Sequence, residues 1–222
     1  MAATKIQGNV GEATSGTTVA VTLASNPTAG NMVCLAILYY SGGASGTTIA
    51  SILDGNSNAY TVTPGNSPST YNSSAGQIFL AYRLVAPANA HATITVTFND
   101  AIGAAAVWAE EFNAGVGSSF TYYTDAKGTG TGATVNTPSI TPSGADSLMM
   151  GGAAVANAIS SANAPWTGAD GGGQFGCFAE FDLSVAGAQA LDFTQEFAAT
   201  WTSMNMSFTI AAAGAAVTVS DS

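Results

Sequence analysis

No stretch of this chain carries an apolar stripe at helical spacing, while runs rich in Val, Ile, Thr, Tyr and Phe recur at strand length between Gly, Pro, Asn and Ser. The chain therefore reads as all-β. The period is clearest in ATITVTF (Ala92–Phe98), where Ile94, Val96 and Phe98 share one face and Thr93, Thr95 and Thr97 the other. Further strands are expected near residues 18–23, 31–40, 48–53, 59–63, 76–85 and 105–112. A second series is expected near 120–125, 133–140, 147–156, 174–185, 190–197 and 202–210. About a dozen short strands are too many for one flat sheet. The expected fold is an antiparallel two-sheet β-sandwich of jelly-roll type.

Such a fold needs solvated outer faces, and charge does not supply them here. Only 7% of the 222 residues are charged, against roughly 25% in average soluble proteins. Thr takes the role, because its branched side chain suits the pleat and its hydroxyl is solvated without a formal charge. Three bases (Lys5, Arg83, Lys127) against thirteen acids give a net charge of −10 and a pI near 4.1. That balance offers no positive surface to a nucleic-acid backbone or an anionic membrane. Mean hydropathy is +0.28, yet the longest strongly apolar run, MVCLAILYY (Met32–Tyr40), is far short of the ~20 residues of a spanning helix. The opening residues, MAATKIQGNVGEATSG, have one Lys but no apolar core of a secretory signal, so folding in the cytosol where the chain is made is expected. Cys34 and Cys177 each sit in an apolar run without zinc-ligand spacing. Buried free thiols are favoured over a disulfide in a reducing compartment.

The two parts of the chain echo each other. TVAVTLASNPTAGNMVCLAIL is followed by TVNTPSITPSGADSLMMGGAAV, each an alternating strand, a Pro and Gly turn, one Asn or Asp, then a continuous apolar run. IFLAYRLVAPANAHATITVTF is likewise matched by CFAEFDLSVAGAQALDFTQEF. A single domain over 1–222 is expected, with pseudo-repeated halves of about 1–126 and 133–222. The least patterned segment, KGTGTGA (Lys127–Ala133), is the expected flexible crossing between them.

The order TPSITPSGADSL (Thr137–Leu148), APWT (Ala164–Thr167) and FDLSVAGAQALDFTQEFAATWTSMNMSFTI (Phe181–Ile210) resembles a family of β-sandwich proteins found in bacteriophage structural modules and related bacterial genes. NPTAGNMVCLAIL, AYRLVAPANAHATITVTF and AAAVWAEEF repeat the plan in the first half. Where that half would carry a Pro-x-Trp-Thr-like segment, Ala59-Tyr60-Thr61 stands instead. The resemblance implies a structural role in a virion or at a cell surface. It brings no catalytic residue, cofactor or metal.

The residues themselves offer few candidates for chemistry. His91, the only histidine, follows PANA and reads as a solvent-facing loop residue, with no partner nearby to make it a general base. Asp54, Asn56 and Asn58 alternate as in the start of a calcium loop, but the central Gly and terminal Glu are missing, so a hairpin turn is preferred. Glu110 and Glu111 lie beside Trp108, and strand alternation lets only one of them point outward. Consecutive strand residues cannot form the facing carboxylate pair of a glycosidase. Tyr39, Tyr40, Tyr60, Tyr71, Tyr122, Tyr123 and Trp166 are candidates for a stacking surface, with core packing the commoner fate of each.

The expected function is a phage virion structural protein: a capsid decoration, head-fibre or tail-associated subunit acting by assembly or adhesion. Its expected partners are capsid or tail proteins and copies of itself. The alternative is a glycan-binding module or adhesin using exposed aromatics on host-surface glycans. An enzyme on the same scaffold ranks last, because no acid–base or nucleophile set is present.

Overall fold

The computed structural model describes residues 3–41, 47–63, 69–71, 76–142, 146–155, 159–162, 177–183, 188–190 and 192–212, with the backbone alone for 69–71, 159–162 and 177–183. Every regular element among them is a strand, so no helix of the described residues is long and apolar enough to cross a membrane. In chain order these are β1 (Thr4–Ala13), β2 (Gly16–Thr22), β3 (Met32–Tyr40), β4 (Ile49–Asp54), β5 (Thr61–Val62), β6 (Ser69–Tyr71) and β7 (Gly76–Arg83). They continue as β8 (Thr93–Ile102), β9 (Ala104–Asn113), β10 (Ser118–Asn136), β11 (Ser147–Val155), β12 (Ile159–Ala162), β13 (Cys177–Leu183) and β14 (Asp192–Ala212).

The described residues form an all-β, antiparallel sandwich, as expected, with its strands in three sheets where two were expected. A six-stranded sheet runs β1-β9-β3-β7-β5 with β6 also on β7; a five-stranded sheet runs β10-β14-β11-β13 with β12 on β14; β2-β8-β4 form a third. The six-stranded sheet is the middle layer. Met32, Cys34, Ala36 and Leu38 of β3 pack with Leu148 and Met150 of β11 and with Met204, Met206 and Phe208 of β14. Val33, Leu35, Ile37 and Tyr39 of the same strand pack with Val19, Val21, Ile52, Ile94, Val96 and Phe98 of the three-stranded sheet. Burial on both faces explains why β3 is apolar without alternation, whereas β8, on an outer sheet, buries Ile94, Val96 and Phe98 and leaves its threonines half-buried.

Long antiparallel ribbons recur along the chain. The β10–β14 ribbon starts at Ser118↔Ala212 and ends at Asn136↔Asp192, as β1–β9 starts at Thr4↔Asn113 and β2–β8 ends at Thr22↔Thr93. In the first half the ribbon breaks between Ala13 and Gly16 and at Gly103, and its two pieces join different sheets. β1 and β2 then press together so closely that a Cβ on Gly11 would lie 1.9 Å from the Ala20 carbonyl oxygen. Further along the chain β10 and β14 stay continuous, with register shifts between Tyr122 and Thr124 and between Gly132 and Thr134.

Lys127–Ala133 is consequently not a crossing between halves. It lies inside β10, paired from Lys127↔Met204 to Gly132↔Ala199. The chain passes between halves at residues 114–117, a tight turn closed by Ser118 N–H donating to the Gly115 carbonyl, with Gly115 and Gly117 at φ 89° and 71°. The glycines of KGTGTGA serve close approach. A Cβ on Gly128 would meet the Asn136 carbonyl oxygen at 3.0 Å and Pro138 at 3.2 Å, and one on Gly130 would meet the Trp201 ring at 2.5 Å. Chain segment 135–140 thus lies over the outer face of the five-stranded sheet. There Val135, Ile140 and Phe193 bury Met149, Ala153, Val155 and Trp201 in a third cluster.

Candidate functional site

The Asp54 turn is a hydrogen-bonded hub. Asp54 is 5% exposed; Oδ1 accepts the N–H groups of Asn56 and Asn58 at 2.9 Å each, and Oδ2 accepts Asn58 Nδ2–H at 2.8 Å and His91 N–H at 3.0 Å. Burial raises the Asp54 carboxyl, but the bonds from Asn58, His91 and Asn56 outweigh it and hold the group below its usual range. Its lone pairs are directed at N–H donors, the arrangement of an Asx-type turn rather than of a calcium ligand. Ser57, at φ 65°, completes the turn in the left-handed region.

His91 does not face solvent freely as the sequence suggested. It is half-buried, its Nδ1 accepts Thr93 N–H at 3.1 Å, and its ring lies where a side chain on Gly55 would be, 2.5 Å from such a Cβ. With Nδ1 used as an acceptor, the neutral ring carries its proton on Nε2. The histidine clamps the Asp54 hairpin to the start of β8.

Both glutamates of β9 are buried, contrary to the expectation that one points outward. Alternation does send them to opposite faces, but the six-stranded sheet is covered on both. Glu110 forms an ion pair with Lys5 of β1. Glu111 is wholly buried and accepts Thr28 N–H at 2.8 Å, Asn31 Nδ2–H at 2.6 Å and Gln7 Nε2–H. Asn31 in turn accepts Asn113 Nδ2–H at 2.7 Å, so this network ties the turn at residues 26–30 to β1 and β9. Three neutral donors on one carboxylate repay its desolvation.

Cys34 is a buried free thiol, pushed well above its ordinary value by burial and by the neighbouring Glu110 charge. Cys177 lies in β13, where the backbone alone is described. The tyrosines divide sharply. Tyr39 and Tyr60 are core residues; the Tyr39 hydroxyl donates to the Thr47 carbonyl at 2.6 Å and is also bonded to Gln77. Tyr122 bonds Asp125 and stacks on Tyr82 at 5.1 Å, and burial raises its hydroxyl far above the usual range. Tyr40 is half-buried, and Tyr123, 45% exposed, faces solvent. The side chains of Tyr71 and Trp166 lie outside the described residues.

Sequence reasoning missed two features. Ser203, Asn205 and Ser207 alternate with Met204, Met206 and Phe208 on β14 as a polar outer face would, yet all three are buried, and Ser203 Oγ, both amide atoms of Asn205 and Ser207 Oγ have no hydrogen-bond partner among the described residues. The second is the continuity of β10, an edge strand of 19 residues that joins the strands expected at 120–125 and 133–140 through a stretch where Thr129 and Thr131 face solvent. Its GTGTG core lacks the apolar alternation that marks a strand.

No family model matches this chain, and no curated protein matches it. Among solved structures, a chain from the atomic structure of Sulfolobus Turreted Icosahedral Virus aligns over 93% of this chain and 90% of its own length, at 9% identity and a TM-score of 0.28. At that score nothing is inferred from the likeness.

Proposed function

We propose that this protein is a structural subunit of a bacteriophage virion, a capsid decoration, head-fibre or tail-associated protein, that acts by assembly or adhesion and carries no catalytic centre. One observation carries the reading: the buried carboxylates and His91, the side chains best suited to acid–base or metal chemistry, are engaged in holding strands and turns together. The five-stranded sheet meanwhile ends in a long strand whose outward side chains are chiefly Thr. Function on such a surface is contact rather than turnover. Partners are other capsid or tail proteins and copies of this chain, and the site of action is the virion. The glycan-binding alternative has less to stand on, since among the described side chains Tyr123 is the one candidate tyrosine left exposed. Mass spectrometry of purified particles from the source tests the proposal. Stoichiometric recovery of the chain in particles supports it, and absence from them together with activity on a glycan or small molecule refutes it.

A further inference from the structure

We infer that Tyr82 and Tyr122 form a site of oxidative cross-linking, where a one-electron oxidant joins the two rings as dityrosine and staples the six-stranded sheet to the five-stranded sheet. The bond lies within one chain and so does not depend on the virion reading.

The pair lies between the sheets. Tyr82 of β7 is 8% exposed and Tyr122 of β10 is half-buried, and their rings stack with centroids 5.1 Å apart and planes 9° from parallel. That offset stack brings the edge of one ring over the other, as bond formation between ortho carbons requires. Phe208 stands edge-on to both rings, 5.3 Å from Tyr82 and 6.0 Å from Tyr122. Wholly buried and without a hydroxyl, it holds the pair together and does not compete for the oxidant.

An irregularity of the strand places a carboxylate on the Tyr122 hydroxyl. Strict alternation would send residues 122 and 125, three apart, to opposite faces. The register shift between Tyr122 and Thr124 cancels this: Tyr122 pairs with Phe208 and Asp125 with Met206, both inward-facing residues of β14. The extra residue, Tyr123, is turned to solvent, and the Tyr122 hydroxyl donates to Asp125. Burial and that hydrogen bond raise the Tyr122 hydroxyl far above its usual range. The phenolate route is thereby closed, and electron loss must be coupled to proton loss. Asp125 is positioned to take the proton.

Tyr122 gives one electron to the oxidant and its phenolic proton to Asp125. Tyr82 gives an electron to a second equivalent of the oxidant and its proton to water. The two phenoxyl radicals form a C–C bond between ortho carbons, and the hydrogen on each of these carbons moves to the phenoxyl oxygen as aromaticity returns. Two phenols thus become one dityrosine with loss of two protons and two electrons. The nearest competing group is Cys34, opposite Tyr82 on β3. Burial and the Glu110 charge keep its thiol protonated, and a thiol is far less reactive than a thiolate.

The test treats the full chain with photolysed tris(bipyridyl)ruthenium(II) and persulfate, which supply ruthenium(III) as the one-electron oxidant, followed by digestion and mass spectrometry. Linked peptides carrying Tyr82 and Tyr122 are expected from chains that still run as monomers under denaturing conditions. The link closes a loop of about 40 residues, so Tm of the cross-linked chain is expected to rise by roughly 8–16 °C. Tyr82→Phe and Tyr122→Phe each keep the ring stack and are expected to abolish the link. Asp125→Asn still accepts the Tyr122 hydroxyl but cannot take its proton, and is expected to slow cross-linking about a hundredfold with circular dichroism unchanged. Tyr123→Phe is expected to remove links between chains and leave the internal one. No Tyr82–Tyr122 link in the wild type, a Cys34–Tyr82 link in its place, an unshifted Tm, an Asp125→Asn rate equal to wild type, or loss of the internal link in Tyr123→Phe overturns the inference.

Discussion

Replacing Phe208 by alanine tests whether the two halves of this chain are held by one core. Phe208 is wholly buried where the five-stranded sheet meets the six-stranded sheet, with its ring 5.3 Å from Tyr82, 6.0 Å from Tyr122 and 6.5 Å from Phe120, all edge-on. Truncating a buried Phe costs about 3–5 kcal/mol, of which aromatic pairs contribute roughly 0.5–1.5 each. The site cannot collapse easily, because β10 and β11 flank β14 on both sides and fix its backbone. A value near the middle, about 4 kcal/mol, follows, and for a chain of this size it lowers Tm by roughly 8–16 °C. The assay is urea unfolding followed by tryptophan fluorescence in a Trp166→Phe background. Removing Trp201 as well leaves Trp108 to report the six-stranded sheet, and removing Trp108 instead leaves Trp201 to report the five-stranded sheet. A shared core requires both midpoints to move together. If the Trp201 signal shifts while the Trp108 signal keeps its wild-type midpoint, the halves unfold independently and the reasoning fails.

Asp54→Asn should destabilise the protein by about 2 kcal/mol at neutral pH, since bonds to a charged acceptor are worth roughly 1.5–3 kcal/mol and an amide cannot accept them all. The folded carboxyl is held below its ordinary value, so its stabilisation is present above the unfolded pKa and is lost as pH falls through the folded one. The difference between wild type and variant in chemical denaturation should therefore shrink below about pH 4, and a difference that grows there would reverse the sign. Gly11→Ala drives a methyl into the Ala20 carbonyl and should cost about 3 kcal/mol, measurable as a fall in urea midpoint. In a Cys177→Ser background, the raised and buried Cys34 thiol should resist a thiol reagent in the folded protein and react fully once urea unfolds it; rapid labelling of the native state would contradict its burial. Calcium chelation should shift Tm by less than about 1 °C, because the Asp54 oxygens already hold N–H donors.

Local pattern determined a good deal of this protein. The alternation of Ile94, Val96 and Phe98 marked a strand with one buried face, the continuous run Met32–Tyr40 marked a buried strand, and Asp54-Gly55-Asn56 marked a turn. Each is encoded within a few residues, by side-chain period or by hydrogen bonds to nearby backbone, and so can be read without knowing the partners.

Which sheet a strand joins is a different matter, because it depends on pairing and packing between residues far apart in the chain. Alternation at Glu110 and Glu111 correctly sends the two side chains to opposite faces, but only the third sheet makes both faces interior. Ser203, Asn205 and Ser207 have the pattern of a solvated face, and the chain at residues 135–140 lies over their sheet instead. Lys127–Ala133 has little strand propensity of its own, and β14 supplies the template that extends it, with Gly128 and Gly130 leaving room for Asn136, Pro138 and the Trp201 ring. Sequence by itself determined what each segment presents to its neighbours; the tertiary structure decided which neighbours those are, because long-range burial and strand pairing outweigh local propensity once a third layer closes over a sheet.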